Sequence, residues 1–145
     1  MLIDLLRVLR IGSRLLEPED MRMVYIIDDD ESVRNALDLL MQAVGFECLT
    51  FSSAAQFLER VTPSSHDCII LDLYMPGMDG FDLLKALSDK GVSVPVIVLT
   101  AQDERGTRER ARQMGVAAYF RKPVDDQALI DAIHWSQAKK AAGEG

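Results

Sequence analysis

From residue 23 onward, short apolar runs alternate with amphipathic helical stripes, and four of those runs deliver a polar residue at their carboxyl ends. Val24-Tyr25-Ile26-Ile27 leads into Asp28-Asp29-Asp30, and Cys68-Ile69-Ile70-Leu71 leads into Asp72. Val96-Ile97-Val98-Leu99 leads into Thr100, and Ala117-Ala118-Tyr119-Phe120 leads, one residue on, into Lys122-Pro123. Uninterrupted apolar runs of this length mark strands covered on both faces, as in a parallel sheet. A further strand is expected over Phe46 to Phe51.

The intervening stretches read as helices. Val33, Leu37, Leu40, Met41 and Val44 recur at helical spacing before a stop at Gly45. Ser53 with Gln56 resembles a capping box that opens a helix through Arg60. Phe81, Leu83, Leu84 and Leu87 form the next stripe, closed by Gly91, and a strongly charged helix is expected over residues 104–114. Leu129, Ile130, Ile133 and Trp135 mark the last, with Trp135 expected to pack. Five β–α units in succession predict an α/β fold: a doubly wound, five-stranded parallel sheet flanked by five helices, of the flavodoxin-like kind. In the strand order 2-1-3-4-5 the switch point lies between strands one and three, where such sheets bind ligands. Those two strands deliver Asp28-Asp29 and Asp72.

The strand ends would therefore place three or four carboxylates, a hydroxyl and an ammonium in one crevice. Clustered carboxylates repel one another unless a cation intervenes. Mg2+ suits them, because it takes one or two carboxylates, keeps several waters and accepts phosphate oxygens. Asp72, ending a buried central strand, suits a nucleophile that forms an acyl phosphate. Asp28 and Asp29 suit the metal, Lys122 a phosphate oxygen, and the Thr100 hydroxyl another. Taken singly, each has a plainer reading. An acidic triplet after a strand also suits a helix N-terminus, where the dipole favours negative charge.

Composition narrows the alternatives. A chain of 145 residues with 48% hydrophobic and 27% charged residues has the make-up of one globular domain. The net charge of -7 argues against direct nucleic-acid binding, since phosphate backbones select basic surfaces. Cys48 and Cys68 lie in strand-like runs and read as buried, reduced thiols. No apolar run reaches the ~18 residues expected of a membrane span, and the N-terminal stretch is a poor signal peptide, so a cytoplasmic location is expected. His66 and His134 lack companions at ligand spacing.

Residues 23 to about 137 resemble the receiver domain of two-component response regulators, the CheY-like superfamily. Ile27-Asp28-Asp29-Asp30 is similar to its acidic motif, and Leu71-Asp72-Leu73-Tyr74-Met75-Pro76-Gly77-Met78-Asp79-Gly80 to its phosphoacceptor segment. Leu99-Thr100-Ala101 and Lys122-Pro123 match its other signatures. Phe51-Ser52-Ser53-Ala54 and the segment from Lys122 to Leu129 resemble the FixJ-like branch. The resemblance implies that Asp72 takes a phosphoryl group from a histidine kinase or phosphotransfer protein. It implies Mg2+ held by Asp29, Asp72 and the Tyr74 backbone carbonyl, with Asp28 acting through water. Thr100 and the aromatic Tyr119 would switch a surface that meets a downstream protein partner. It also implies a cis Lys122-Pro123 bond.

The competing enzymatic reading is a Mg2+-dependent phosphohydrolase using Asp72 covalently. A haloacid-dehalogenase-type enzyme wants a second Asp two residues beyond the nucleophile, where this chain has Tyr74. A scaffold without phosphorylation is disfavoured by the complete set Asp28, Asp29, Asp72, Thr100 and Lys122. The expected organisation is an amphipathic extension over residues 1–21, a receiver over 22–140 and a flexible tail over 141–145. FixJ-like regulators usually append a helix-turn-helix domain, and the fading end from Lys139 favours a stand-alone regulator over an excised receiver. In the extension, Leu2, Leu5, Leu6, Leu9 and Leu16 share one helical face. That stretch fits an upstream start of translation, a helix packed on the receiver, or a homodimer contact. Arg105, Arg108, Arg110 and Arg112 give the fourth helix a basic face, suited to solvent or to an acidic partner.

Overall fold

The computed structural model describes residues 23–144, with side chains through residue 138. The amphipathic extension lies outside the described residues. The strands are β1 (Met23–Ile27), β2 (Glu47–Phe51), β3 (Cys68–Leu71), β4 (Val96–Thr100) and β5 (Ala118–Arg121). They form one parallel sheet in the order β2-β1-β3-β4-β5, as expected. The helices are α1 (Glu31–Ala43), α2 (Ala54–Arg60), α3 (Gly80–Asp89), α4 (Thr107–Gln113) and α5 (Asp126–Glu144).

Strand side chains alternate between two cores, as the period of two requires. Tyr25, Ile27, Ile69, Leu71, Val96 and Val98 face one core, closed by Phe57 of α2, Phe81 and Leu83 of α3 and Ala111 of α4. Val24, Ile26, Cys68, Ile70, Ile97 and Leu99 face the other, closed by Leu37 and Met41 of α1 and by Leu129 and Ile133 of α5. Cys48 and Cys68 are buried and unbridged. At the amino end of the sheet, buried Asp67 accepts hydrogen bonds from the Met23 and Ser64 backbone N–H groups at 2.9 and 2.8 Å, pinning the start of β1.

Helix ends, one exposure and one cap differ in detail from the sequence reading. The fourth helix starts at Thr107 rather than 104, because Gly106 adopts a left-handed conformation (φ 88°) that no helical residue can share. The last helix runs from Asp126 to Glu144, longer than the apolar stripe alone marks. Trp135, expected to pack, is 53% exposed and lies about 200° around the helix from the buried Ile133. The capping box at α2 is half formed. Ser53 accepts from the Gln56 N–H, whereas the Gln56 side chain turns to the Ser52 hydroxyl. Among the described residues no helix is long and apolar enough to cross a membrane.

Candidate functional site

The site is assembled by the ladder itself. The Asp72 N–H donates to the Ile27 carbonyl at 3.0 Å, and the Asp28 N–H donates to Phe51, so the residues just past β1 and β3 emerge side by side. Asp28, Asp29 and Asp72 consequently offer carboxylate oxygens that all lie within 4.8 Å of one another. Asp28 and Asp72 are buried and Asp29 is exposed, which leaves the cluster open to solvent on one side.

Lys122 reaches the same cluster from the far side of the sheet. Its Nζ lies 2.7 Å from Asp28 Oδ2 and 3.7 Å from Asp72 Oδ2. The Lys122 N–H donates to the Thr100 carbonyl at 2.8 Å, and the Lys122-Pro123 bond is cis, as expected. The acidic loop is held by Arg34, whose guanidinium donates to the Asp28 carbonyl at 2.7 Å. The Asp30 N–H donates to Asp28 Oδ1 at 2.9 Å. The structure thus brings three carboxylates together rather than four. Asp30 turns away to cap α1, accepting from the Ser32 and Val33 N–H groups, which is the plainer reading of that third aspartate.

Burial, opposed by Lys122 and reinforced by Asp28, raises the Asp72 carboxyl from 3.8 to about 6. A cation joining the cluster would favour the ionised form of this carboxyl and oppose the rise. The donors are hard oxygens, one of them exposed, and they suit a divalent ion that keeps water ligands. Thr100 is fully buried, and its hydroxyl exchanges hydrogen bonds with the Gln102 backbone at 3.3 Å. Tyr119, on the neighbouring strand, is turned outward. Its hydroxyl donates to Asp103 Oδ1 at 3.0 Å, and the Arg108 guanidinium lies 4.6 Å from its ring centroid.

Two contributors escaped the sequence reading. Gly80 opens α3 so close to the phosphoacceptor-like strand end that a Cβ would lie 2.7 Å from Leu73 Cα and 2.8 Å from the Asp72 carbonyl oxygen. Its N–H donates to the Leu73 carbonyl at 2.9 Å. The signal was the glycine at the start of an apolar stripe, beside the Asp79-Asp82 capping box. The second is Thr107, whose hydroxyl hydrogen-bonds that of Tyr74 at 2.8 Å. No local pattern links two residues so distant in sequence.

Residues 24–134 match the family described as response regulator receiver domain. The chain is 37% identical over 118 residues to the transcriptional regulatory protein FixJ of Azorhizobium caulinodans, covering 81% of this chain and 56% of that one. It is 35% identical over 111 residues to the response regulator protein TodT of Pseudomonas putida, covering 77% of this chain and 49% of that one. The chain therefore spans about half the length of these relatives. Among solved structures, the response regulator StyR superposes with a TM-score of 0.78 at 36% identity, over 85% of this chain and 62% of that one. The FixJ-N crystal structure gives 0.74 at 31% identity, over 81% and 94%.

Proposed function

This chain belongs to the response regulator receiver domain family of two-component systems, and from that premise we propose that Asp72 is its phosphoacceptor. The observation that carries the reading is the bridging of Asp28 and Asp72 by Lys122, with Asp29 completing a three-carboxylate cluster. In the proposed reaction an Asp72 carboxylate oxygen attacks the phosphorus of a phosphohistidine on a histidine kinase or phosphotransfer protein. The P–N bond breaks, and the ring leaves as neutral imidazole, keeping the proton that the other nitrogen of the phosphoimidazolium already carries. Lys122 holds one phosphoryl oxygen and the Thr100 hydroxyl donates to another.

Asp28, Asp29, Asp72 and the Tyr74 carbonyl would hold Mg2+, which supplies charge neutralisation of the transferring group. Thr100 leaves the Gln102 backbone to reach the phosphoryl group, and Tyr119 then exchanges Asp103 and Arg108 for an inward position. Phosphorylation so biases a two-state surface toward a downstream protein partner. We assign the receiver to residues 22–140, place it in the cytoplasm, and take the basic face of α4 as part of the partner surface. The FixJ and TodT relatives are regulators of greater length, so output through a further domain belongs to this proposal; a homodimer contact through the leucine face of residues 1–21 is proposed separately from the sequence.

The reading is tested by short-time phosphotransfer from radiolabelled histidine kinases. Label should pass to the wild-type chain with Mg2+ and fail to pass to Asp72→Asn. Equal labelling of the variant would place the acceptor elsewhere.

A further inference from the structure

Between the loop after β3 and the first turn of α4 lies a contact that the proposed phosphotransfer does not use. Tyr74 is fixed at both ends. Its backbone N–H points to Asp72 Oδ1 at 3.3 Å, and its hydroxyl meets the Thr107 hydroxyl at 2.8 Å. Thr107 is itself buried (6% exposed) and is the first residue of α4. That helix begins without a side-chain cap, because its N-cap residue is Gly106. Tyr74 thus supplies from another loop a side-chain tie that the helix start lacks from its own N-cap.

Outside this strut lies an open cleft of about 320 Å³, lined by Tyr74, Phe81, Arg105, Thr107 and Arg110 among others. Arg110 closes one side, with its guanidinium 3.8 Å from the Phe81 ring centroid. Asp72 does not line the cleft, although it is only two residues from Tyr74. Tyr74 therefore borders the open cleft on one side and contacts the proposed phosphoacceptor through its backbone N–H on the other. A phenol ring hinged only at its backbone would swing into the cleft, whereas one whose hydroxyl is held by Thr107 stays as a wall.

We propose that Thr107 is a positioning residue: its hydroxyl holds Tyr74 across the water approach from the α4 side and so prolongs the life of the phosphorylated state. The inference rests on Asp72 being the phosphoacceptor. In the step concerned, a water oxygen bonds to phosphorus and the bond from phosphorus to the Asp72 carboxylate oxygen breaks. The carboxylate, inorganic phosphate and the proton released by water are the products. Freeing Tyr74 admits water more often and leaves the chemistry unchanged.

The test uses the full chain, labelled with acetyl phosphate and Mg2+, freed of excess reagent and followed by intact mass as the phosphate is lost. Thr107→Val keeps the shape of the side chain and removes the hydroxyl; Thr107→Ser keeps the hydroxyl. Decay in Thr107→Val should be about two- to tenfold faster, the range set by one hydrogen bond of ordinary net strength, and Thr107→Ser should return it to the wild-type rate. Tyr74→Phe removes the same bond from the other side, so its combination with Thr107→Val should decay no faster than the faster single variant. If Thr107→Val fails to fold, Tyr74→Phe still reads the bond from its other end. Wild-type decay in these variants, equal acceleration by Ser and Val, or effects that multiply would overturn the role of Thr107. A wild-type chain that takes no phosphate would instead overturn the phosphoacceptor reading beneath it.

Discussion

Asp72 is held where its ionised form is unfavourable, and this has a measurable consequence for stability. Burial and the neighbouring Asp28 raise its carboxyl to about 6 from 3.8, against the opposing pull of Lys122. A carboxyl that binds its proton more tightly folded than unfolded contributes its full stability below about 3.8, and loses it as pH climbs through about 6. Asp72→Asn cannot ionise and avoids that loss. In EDTA at pH 7 it should be more stable than wild type, with a ceiling of about 3 kcal/mol at ~1.4 kcal/mol per tenfold change in proton affinity. Solvent screening on the open side of the cluster lowers the realised gain. The gap should close near pH 4, as urea melts at the two pH values would reveal; a gap equal at both would refute this electrostatic account. At this scale the sequence was informative because each of Asp28, Asp29, Asp72 and Lys122 follows a recognisable strand. Asp30 was ambiguous, since a cap and a ligand have the same local pattern and only the hydrogen bonds to Ser32 and Val33 separate them.

Elements were legible where hydrophobic period and length agreed, as in β1, β3 and β4, which the sheet buries on both faces. The start of α4 lies later than the charge pattern suggests, because Glu104 and Arg105 already look like its charged stripe while the left-handed Gly106 decides where the helix begins. Trp135 is half exposed although its stripe includes the buried Ile133, because two residues along a helix turn it to a different face. The junction of β3 with α3 was illegible for a different reason: closeness of two backbones leaves no periodicity. Gly80→Ala tests that junction. Its Cβ would meet backbone atoms of Leu73 and Asp72 that cannot rotate aside. A loss of about 1–3 kcal/mol is expected for such overpacking, with slower phosphorylation at Asp72 as the strand end shifts. Wild-type melting and labelling in Gly80→Ala would mean that the junction yields without moving the acceptor.

On the scale of the whole molecule, strand order does the decisive work: residues 28, 72 and 122 meet only because β1, β3, β4 and β5 lie side by side, with Thr100 ending the intervening β4. Alternating β–α units made that order readable, whereas the pairing of Tyr74 with Thr107 depended on loop paths that no local pattern encodes. Three carboxylates in one cluster would favour a bound divalent cation, so Mg2+ should stabilise the fold by mass action. At ten times its Kd the gain should be about 1.4 kcal/mol, seen as a higher Tm that EDTA reverses and that Asp29→Asn diminishes. A Tm indifferent to Mg2+ would argue against a metal at this cluster. The most direct measurement of the central claim is to name the phosphorylated residue chemically. After acetyl phosphate and Mg2+, borohydride reduction turns an aspartyl phosphate into homoserine, which peptide mass mapping locates. Homoserine is expected at position 72 alone, and none when EDTA replaces Mg2+; homoserine at another aspartate, or label that persists in Asp72→Asn, would overturn the assignment of Asp72.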